Sequence, residues 1–167
     1  MIPSSVQAIW NAYCVAIGQD RTADFYEPFF FHDNEKGALE LAQLVSRGAK
    51  RGSASLVWTY EHDKKRPPWP GCLSVMTDWH GVPMGIIETR AIEAIPFEDV
   101  SAEFAAIEGE GDGSLRYWSE SHWNYFVREC QRIGKEPDRR MLVLCERFEL
   151  VYPSGSENAA FQETHPK

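Results

Sequence analysis

Between residues 53 and 95 the chain alternates β-type runs with short turns, and that alternation narrows the folds open to it. Residues 53–60 (Ser-Ala-Ser-Leu-Val-Trp-Thr-Tyr) read as a strand. A polar, proline-rich turn follows over residues 64–71, then a strand over 72–77, a His80-Gly81 turn and a long strand over 82–95 that Gly85 can break. Residues 141–152 form the last strand. A parallel pair needs a long crossover, so turns this short favour antiparallel pairing. Several such strands can close into a small barrel.

Helical periodicity flanks the strands. Val6, Ile9, Trp10, Tyr13 and Ile17 recur at helical spacing, with Ser4 or Ser5 as the cap and Gly18 as the stop. Residues 25–31 are aromatic-rich and read as a strand or extended arm. Asp33 or Asn34 caps a second helix that turns Leu39, Leu41, Ala42, Leu44 and Val45 inward and ends at Gly48. Residues 96–104 read as a short helix and 108–113 as a loop. Asp112 or Ser114 caps the longest helix, whose inward stripe is Leu115, Trp118, His122, Phe126, Cys130 and Ile133, and Gly134 stops it. Helices before and after a run of strands predict an α+β fold. One domain over residues 1–152, with the helix at 4–18 packed on it, and a polar tail over 153–167 account for the length.

The net charge of −8 argues against a uniformly basic nucleic-acid binder. The charge is uneven, however. Between Leu44 and Pro70 six bases (Arg47, Lys50, Arg51, Lys64, Lys65, Arg66) face two acids, an excess suited to an anion such as phosphate. Residues 91–115 carry seven acids and no base. Trp58, Tyr60, Trp69 and Trp79 surround the basic segment, a pairing that suits base stacking beside phosphate attraction. Cys14, Cys72, Cys130 and Cys145 form no CxxC pair and read as free thiols. With no export signal and no long apolar run, the chain is expected in the cytoplasm and off the membrane. Glu108, Glu110 and Asp112 begin like a calcium loop, but the twelfth position is Ser119 instead of glutamate. No residues have zinc spacing, and neither metal nor other cofactor is expected.

The stretch Gly48-Ala49-Lys50-Arg51-Gly52-Ser53-Ala54-Ser55-Leu56 resembles the glycine–lysine–threonine motif of ASCH-domain proteins, relatives of PUA and YTH domains. Ile87-Glu88-Thr89, the Glu108-Gly109-Glu110-Gly111-Asp112 loop, the Trp118/His122 helix and Cys145-Glu146-Arg147-Phe148 fall in the family's order. The resemblance implies a small antiparallel PUA-like β-barrel with flanking helices and a groove across one face. It also implies an RNA or nucleoside-like ligand, since some members are ribonucleases and some hydrolyse an amide on modified cytidine. The amidohydrolase branch has a lysine, a threonine three positions later and a glutamate on a later strand. Those positions match Lys50, Ser53 and Glu88, with serine keeping the hydroxyl.

These three are the candidate catalytic residues. Burial in a groove lowers a lysine's pKa, so Lys50 is expected to act as base for Ser53, with Glu88 as its partner. Arg47, Arg51, Ser55, Tyr60, Arg90 and Trp118 are the candidate binding residues. Each has a plainer role open to it: loop charge for Lys50, strand-start hydrogen bonding for Ser53, an outward ion pair with Arg90 or Arg47 for Glu88. The expected function is a hydrolase on RNA or a modified nucleoside. The alternatives are an RNA-binding module without catalysis and a protein-interaction domain using the acidic surface over 93–112.

Overall fold

A computed structural model describes residues 2–155, so most of the expected polar tail lies outside the described residues. The elements run α1 (Ser4–Ile17), β1 (Phe25–Phe29), α2 (Glu35–Ser46), β2 (Gly52–Leu56), α3 (Val57–Asp63), β3 (Leu73–Thr77), β4 (Pro83–Pro96), α4 (Ala102–Glu108), α5 (Leu115–Ile133) and β5 (Leu142–Pro153). They form a mixed α+β architecture around one five-stranded sheet in the order β1-β3-β4-β5-β2. The ladders β3–β4, β4–β5 and β5–β2 are antiparallel. β1 joins β3 in parallel, a departure from the all-antiparallel expectation. The chain between them carries α2, β2 and α3, which supplies the long crossover a parallel pair requires. β1 and β2 are edges with no ladder between them, so the sheet is open where a closed barrel was expected.

Three apolar clusters hold helices on the sheet. Ile86 points toward α1, where it meets Val6, Trp10 and Tyr13. Ile87, its neighbour, points the other way and packs with Ala42 and Val45 of α2 and with Phe148. This is the alternation a strand imposes. The largest cluster lies under α4 and α5, where Trp118, Phe126 and Cys130 meet Phe97, Phe104, Val143 and Cys145. α5 forms as the sequence directs: Ser114 Oγ accepts the Tyr117 N–H and Gly134 closes the helix at φ 68°. Phe126 is fully buried at its centre, and truncation to Ala is expected to cost about 3–5 kcal/mol. Asn34 caps α2, accepting from the Gly37 N–H. α1 is preceded by Pro3 and has no side-chain cap, neither Ser4 nor Ser5 serving. Among the described residues no helix is long and apolar enough to cross a membrane.

One predicted strand changes character midway. Residues 53–60 are strand only as far as Leu56, then helix from Val57. Val, Trp, Thr and Tyr favour strands, but that preference yields to packing. Trp58 packs against the α5 cluster, Thr59 Oγ1 donates back to the Leu56 carbonyl, and Tyr60 returns to Ser55. The turn into α3 therefore brings a phenol onto the face that carries Ser53 and Ser55.

Candidate active site

The link between α2 and β2 is tied down at both ends. Gly48 takes φ 73°, the Lys50 N–H bonds the Leu44 carbonyl, and the Arg51 N–H bonds the Ile107 carbonyl. The last bond docks the segment against the end of α4. Gly109 seals the contact: its φ is +65°, and a Cβ there would overlap the Ala49 carbonyl. Lys50 is driven inside and is 1% exposed. Its ammonium meets two carboxylates, Glu108 Oε2 at 2.7 Å and Glu110 Oε1 at 2.6 Å.

Those partners correct two expectations. Burial alone pulls the Lys50 pKa down, but Glu108 and Glu110 outweigh it and the pKa is raised. Lys50 is therefore a fixed ammonium, not a base. Glu88 is not its partner. Thr89 is buried and reaches Glu146 on the cleft side of the sheet, so Glu88 points to the opposite face, where it pairs with Arg90 at 3.0 Å and approaches Arg21 at 4.0 Å.

Glu108, 1% exposed, is the centre of the cluster. Its Oε1 accepts the Trp118 indole N–H at 2.8 Å and stands 3.3 Å from His122 Nε2. Burial raises its pKa, but Lys50 and His122 reverse that and hold the carboxyl below the usual range. Trp118, expected to touch ligand, is buried and engaged by Glu108, with the His122 ring stacked on it at 4.3 Å. Glu108, Glu110 and His122 bring ligand atoms within 4.8 Å of one another, the one such grouping among the described residues. The ammonium of Lys50 already stands between the two carboxylates, so the chain supplies the cation there.

These groups form one wall of a cleft of about 560 Å³, within the usual range for small-molecule sites. Ser53 and Ser55 line it from β2, and Glu110 and His122 line it from the α4–α5 side. The edge strands both line this cleft, Tyr26 from β1 and Ser53 from β2. Tyr60 Oη lies 3.0 Å from Ser55 Oγ, and burial pushes its phenol up to about 12. Glu146 lies directly across the ladder from Ser53, where paired side chains are close neighbours. Its Oε1 accepts the Thr89 hydroxyl at 2.5 Å, and burial raises its pKa.

The basic segment does not line the cleft as expected. Arg47 and Arg51 are exposed outside it, and Arg90 pairs with Glu88 and Glu149 on the far face. Lys65, which does line it, is held by Glu27 at 2.6 Å. Arg66 lies 3.7 Å over the Trp69 ring. Of the candidate residues, Ser53, Ser55 and Tyr60 come together in the cleft with Lys50 behind its wall. Glu110 and Glu146 were missed as site residues. The signal for Glu110 was a buried lysine in need of anions. The signal for Glu146 was an acid alternating with Phe148 on an inward strand face.

No curated protein matches the chain. Residues 27–152 match the ASCH domain family. The chain is similar to the crystal structure of an ASCH domain from Lactobacillus crispatus JV V101, with 35% identity and a TM-score of 0.83 over 90% of this chain and 96% of that one. It is also similar to the crystal structure of a protein from Enterococcus faecalis V583, with 28% identity and a TM-score of 0.79 over 89% of this chain and 88% of that one. With the match spanning most of its length, the chain belongs to the ASCH-domain family.

Proposed function

We propose that the cleft hydrolyses an amide on a modified nucleoside, with Ser53 as nucleophile and Glu110 as general base. The observation that carries this reading is the buried Lys50–Glu110 pair, which presents an oriented carboxylate to the cleft that Ser53 lines. Ser53 Oγ attacks the acyl carbon as Glu110 takes its proton. The tetrahedral adduct expels the amine, which receives that proton from Glu110. Water, deprotonated by Glu110, then attacks the acyl-serine, and the acyl–Oγ bond breaks as Glu110 returns that proton to Ser53 Oγ. Lys50 keeps its proton throughout and holds the carboxylate in place.

The cleft favours an uncharged ligand over a phosphate. Its lining carries Glu27, Glu108, Glu110 and Glu146, while Lys65 and Arg128 are already paired with Glu27 and Asp33. That weighs against long nucleic acid, whose affinity comes largely from phosphate contacts. The retained charge of Lys50 favours a second reading, a cleft that binds without reaction. The acidic-surface reading is weaker, because Glu108 and Glu110 turn inward to Lys50. Incubation with N4-acylated cytidines and short RNAs, read by mass change, separates these readings. The hydrolase reading expects loss of the acyl group, abolished in Ser53→Ala. Retention of ligand with no mass change contradicts it and supports binding alone.

A further inference from the structure

We infer that Glu146 selects the ligand: its cleft-lining carboxyl reads the edge of a nucleobase-like heterocycle that places a hydrogen-bond donor beside a ring-nitrogen acceptor. The inference rests on the cleft being a nucleoside site. It adds the residue that decides which heterocycle enters.

A relay behind the carboxyl fixes its orientation. The Trp69 backbone N–H bonds Cys72 Sγ at 3.4 Å, and Cys72 Sγ lies 3.3 Å from Thr89 Oγ1. With its sulfur accepting from Trp69, the thiol gives its hydrogen to Thr89 Oγ1. The threonine then gives its own to Glu146 Oε1. Among the described residues Oε2 has no hydrogen-bond partner and Glu146 has no ion pair, although the side chain lines the cleft. A half-buried carboxyl without a paired cation is harder to ionise than one in open water. Burial accordingly raises its pKa, Thr89 opposes that, Glu27 adds to it, and Lys50 and Glu108 act in opposite senses.

The other charged and titratable groups of the cleft have partners: Glu110 meets Lys50, His122 stands against Glu108, and His32 and Arg128 both meet Asp33. Glu27 on β1 is tied to Lys65, and Lys50 ahead of β2 is locked with Glu108 at the end of α4. Tyr26 on β1, Tyr60 on α3 and Cys72 ahead of β3 all have raised pKa values through burial.

When protonated on Oε2, this carboxyl offers one donor and one acceptor side by side. That pattern complements the N3 and N4–H edge of cytosine or the N1 and N6–H edge of adenine. The flat rings of Tyr26, Tyr60 and Tyr125 in the same cleft suit a planar heterocycle. A divalent ion fits less well, since the one grouping of metal-capable side chains among the described residues omits Glu146.

The test is a binding titration of the intact protein with cytidine and with pyrimidin-2-one riboside, which lacks the exocyclic N–H. Wild type is expected to prefer cytidine about 10-fold or more, the size of one buried hydrogen-bond mismatch. Its affinity should fall as pH rises and Glu146 ionises. Glu146→Gln keeps a donor beside an acceptor, so it should retain the preference and lose the pH dependence. Glu146→Leu should lose the preference. The inference is overturned if neither probe binds, if wild type does not discriminate or shows no pH dependence, or if Glu146→Leu discriminates. Should Glu146→Leu not fold, the wild-type and Glu146→Gln pH profiles decide alone. If cytidine binds through Glu146 but acylated cytidines survive, only the hydrolase reading fails. If acylated cytidines are cleaved with no dependence on Glu146, only this inference fails.

Discussion

Lys50 Nζ lies 2.6 Å from Glu110 Oε1 across a sequence separation of 60 residues. The contact depends on backbone fit more than on either side chain. Gly109 sits between Glu108 and Glu110, and only a glycine there lets the loop close on Ala49.

Gly109→Ala should therefore undo the site through the backbone. The left-handed φ costs about 1–2 kcal/mol for a residue with a Cβ, and the overlap with Ala49 costs more. The expected total is about 2–4 kcal/mol in urea unfolding. A variant as stable as wild type contradicts the docking described.

Removing the ammonium leaves two carboxylates in the protein interior without their cation. Lys50→Ala is expected to destabilise the fold by about 3–5 kcal/mol, because a buried charge loses its partner. Adding Glu108→Gln to that background should recover part of the loss, since one of the orphaned charges goes with it. A double-mutant cycle from denaturant melts measures the coupling. Strict additivity contradicts a mutual buried pair.

Stability should respond to pH in opposite senses at two glutamates. Glu108 has a folded pKa below its ordinary 4.5, so its contribution is present above that value and is lost as pH falls through the folded one. Glu146 has a folded pKa above 4.5, so ionising it removes stability as pH climbs from 4.5 through the raised value. Glu146→Gln should accordingly raise the Tm at neutral pH and give no gain well below pH 4.5. Thermal melts across pH check this, and a pH-independent difference contradicts it.

Glu88→Ala should be silent at the site. Its partners Arg90 and Arg21 lie on the face away from the cleft, so any cost of losing this partly buried carboxylate falls on stability and not on activity. Hydrolysis and nucleoside affinity should match wild type in the same assays. A loss of a hundredfold or more returns Glu88 to the site.

The elements that could be read from the sequence were those whose local signals agreed with their packing. α5 has a capping serine, a stripe at helical steps and a terminal glycine, and all three act as read. Residues 57–60 could not be read locally. Their side chains favour a strand, and only contact with α5 and Ser55 makes them helical. At the site, Lys50 and Ser53 stood out because the motif is contiguous. Glu110 did not, because it lies in a glycine-rich loop that resembles a turn, and its role comes from a chain fold-back. Glu88 misled because alternation along β4 leaves its facing open until Thr89 is placed. The open sheet was hidden for a similar reason. Short turns reveal the antiparallel ladders, but the parallel β1 edge depends on a crossover through three elements.

The central claim is that Ser53 and Glu110 act together in the cleft, and one measurement addresses it most directly. It is the rate of acyl release from N4-acylated cytidine by wild type, Ser53→Ala, Ser53→Thr and Glu110→Gln, each shown to be folded. The account predicts that Ser53→Ala and Glu110→Gln lose about 10²–10⁴ in rate, while Ser53→Thr, which keeps the hydroxyl, retains activity. Acyl release by Ser53→Ala or Glu110→Gln at the wild-type rate would contradict it.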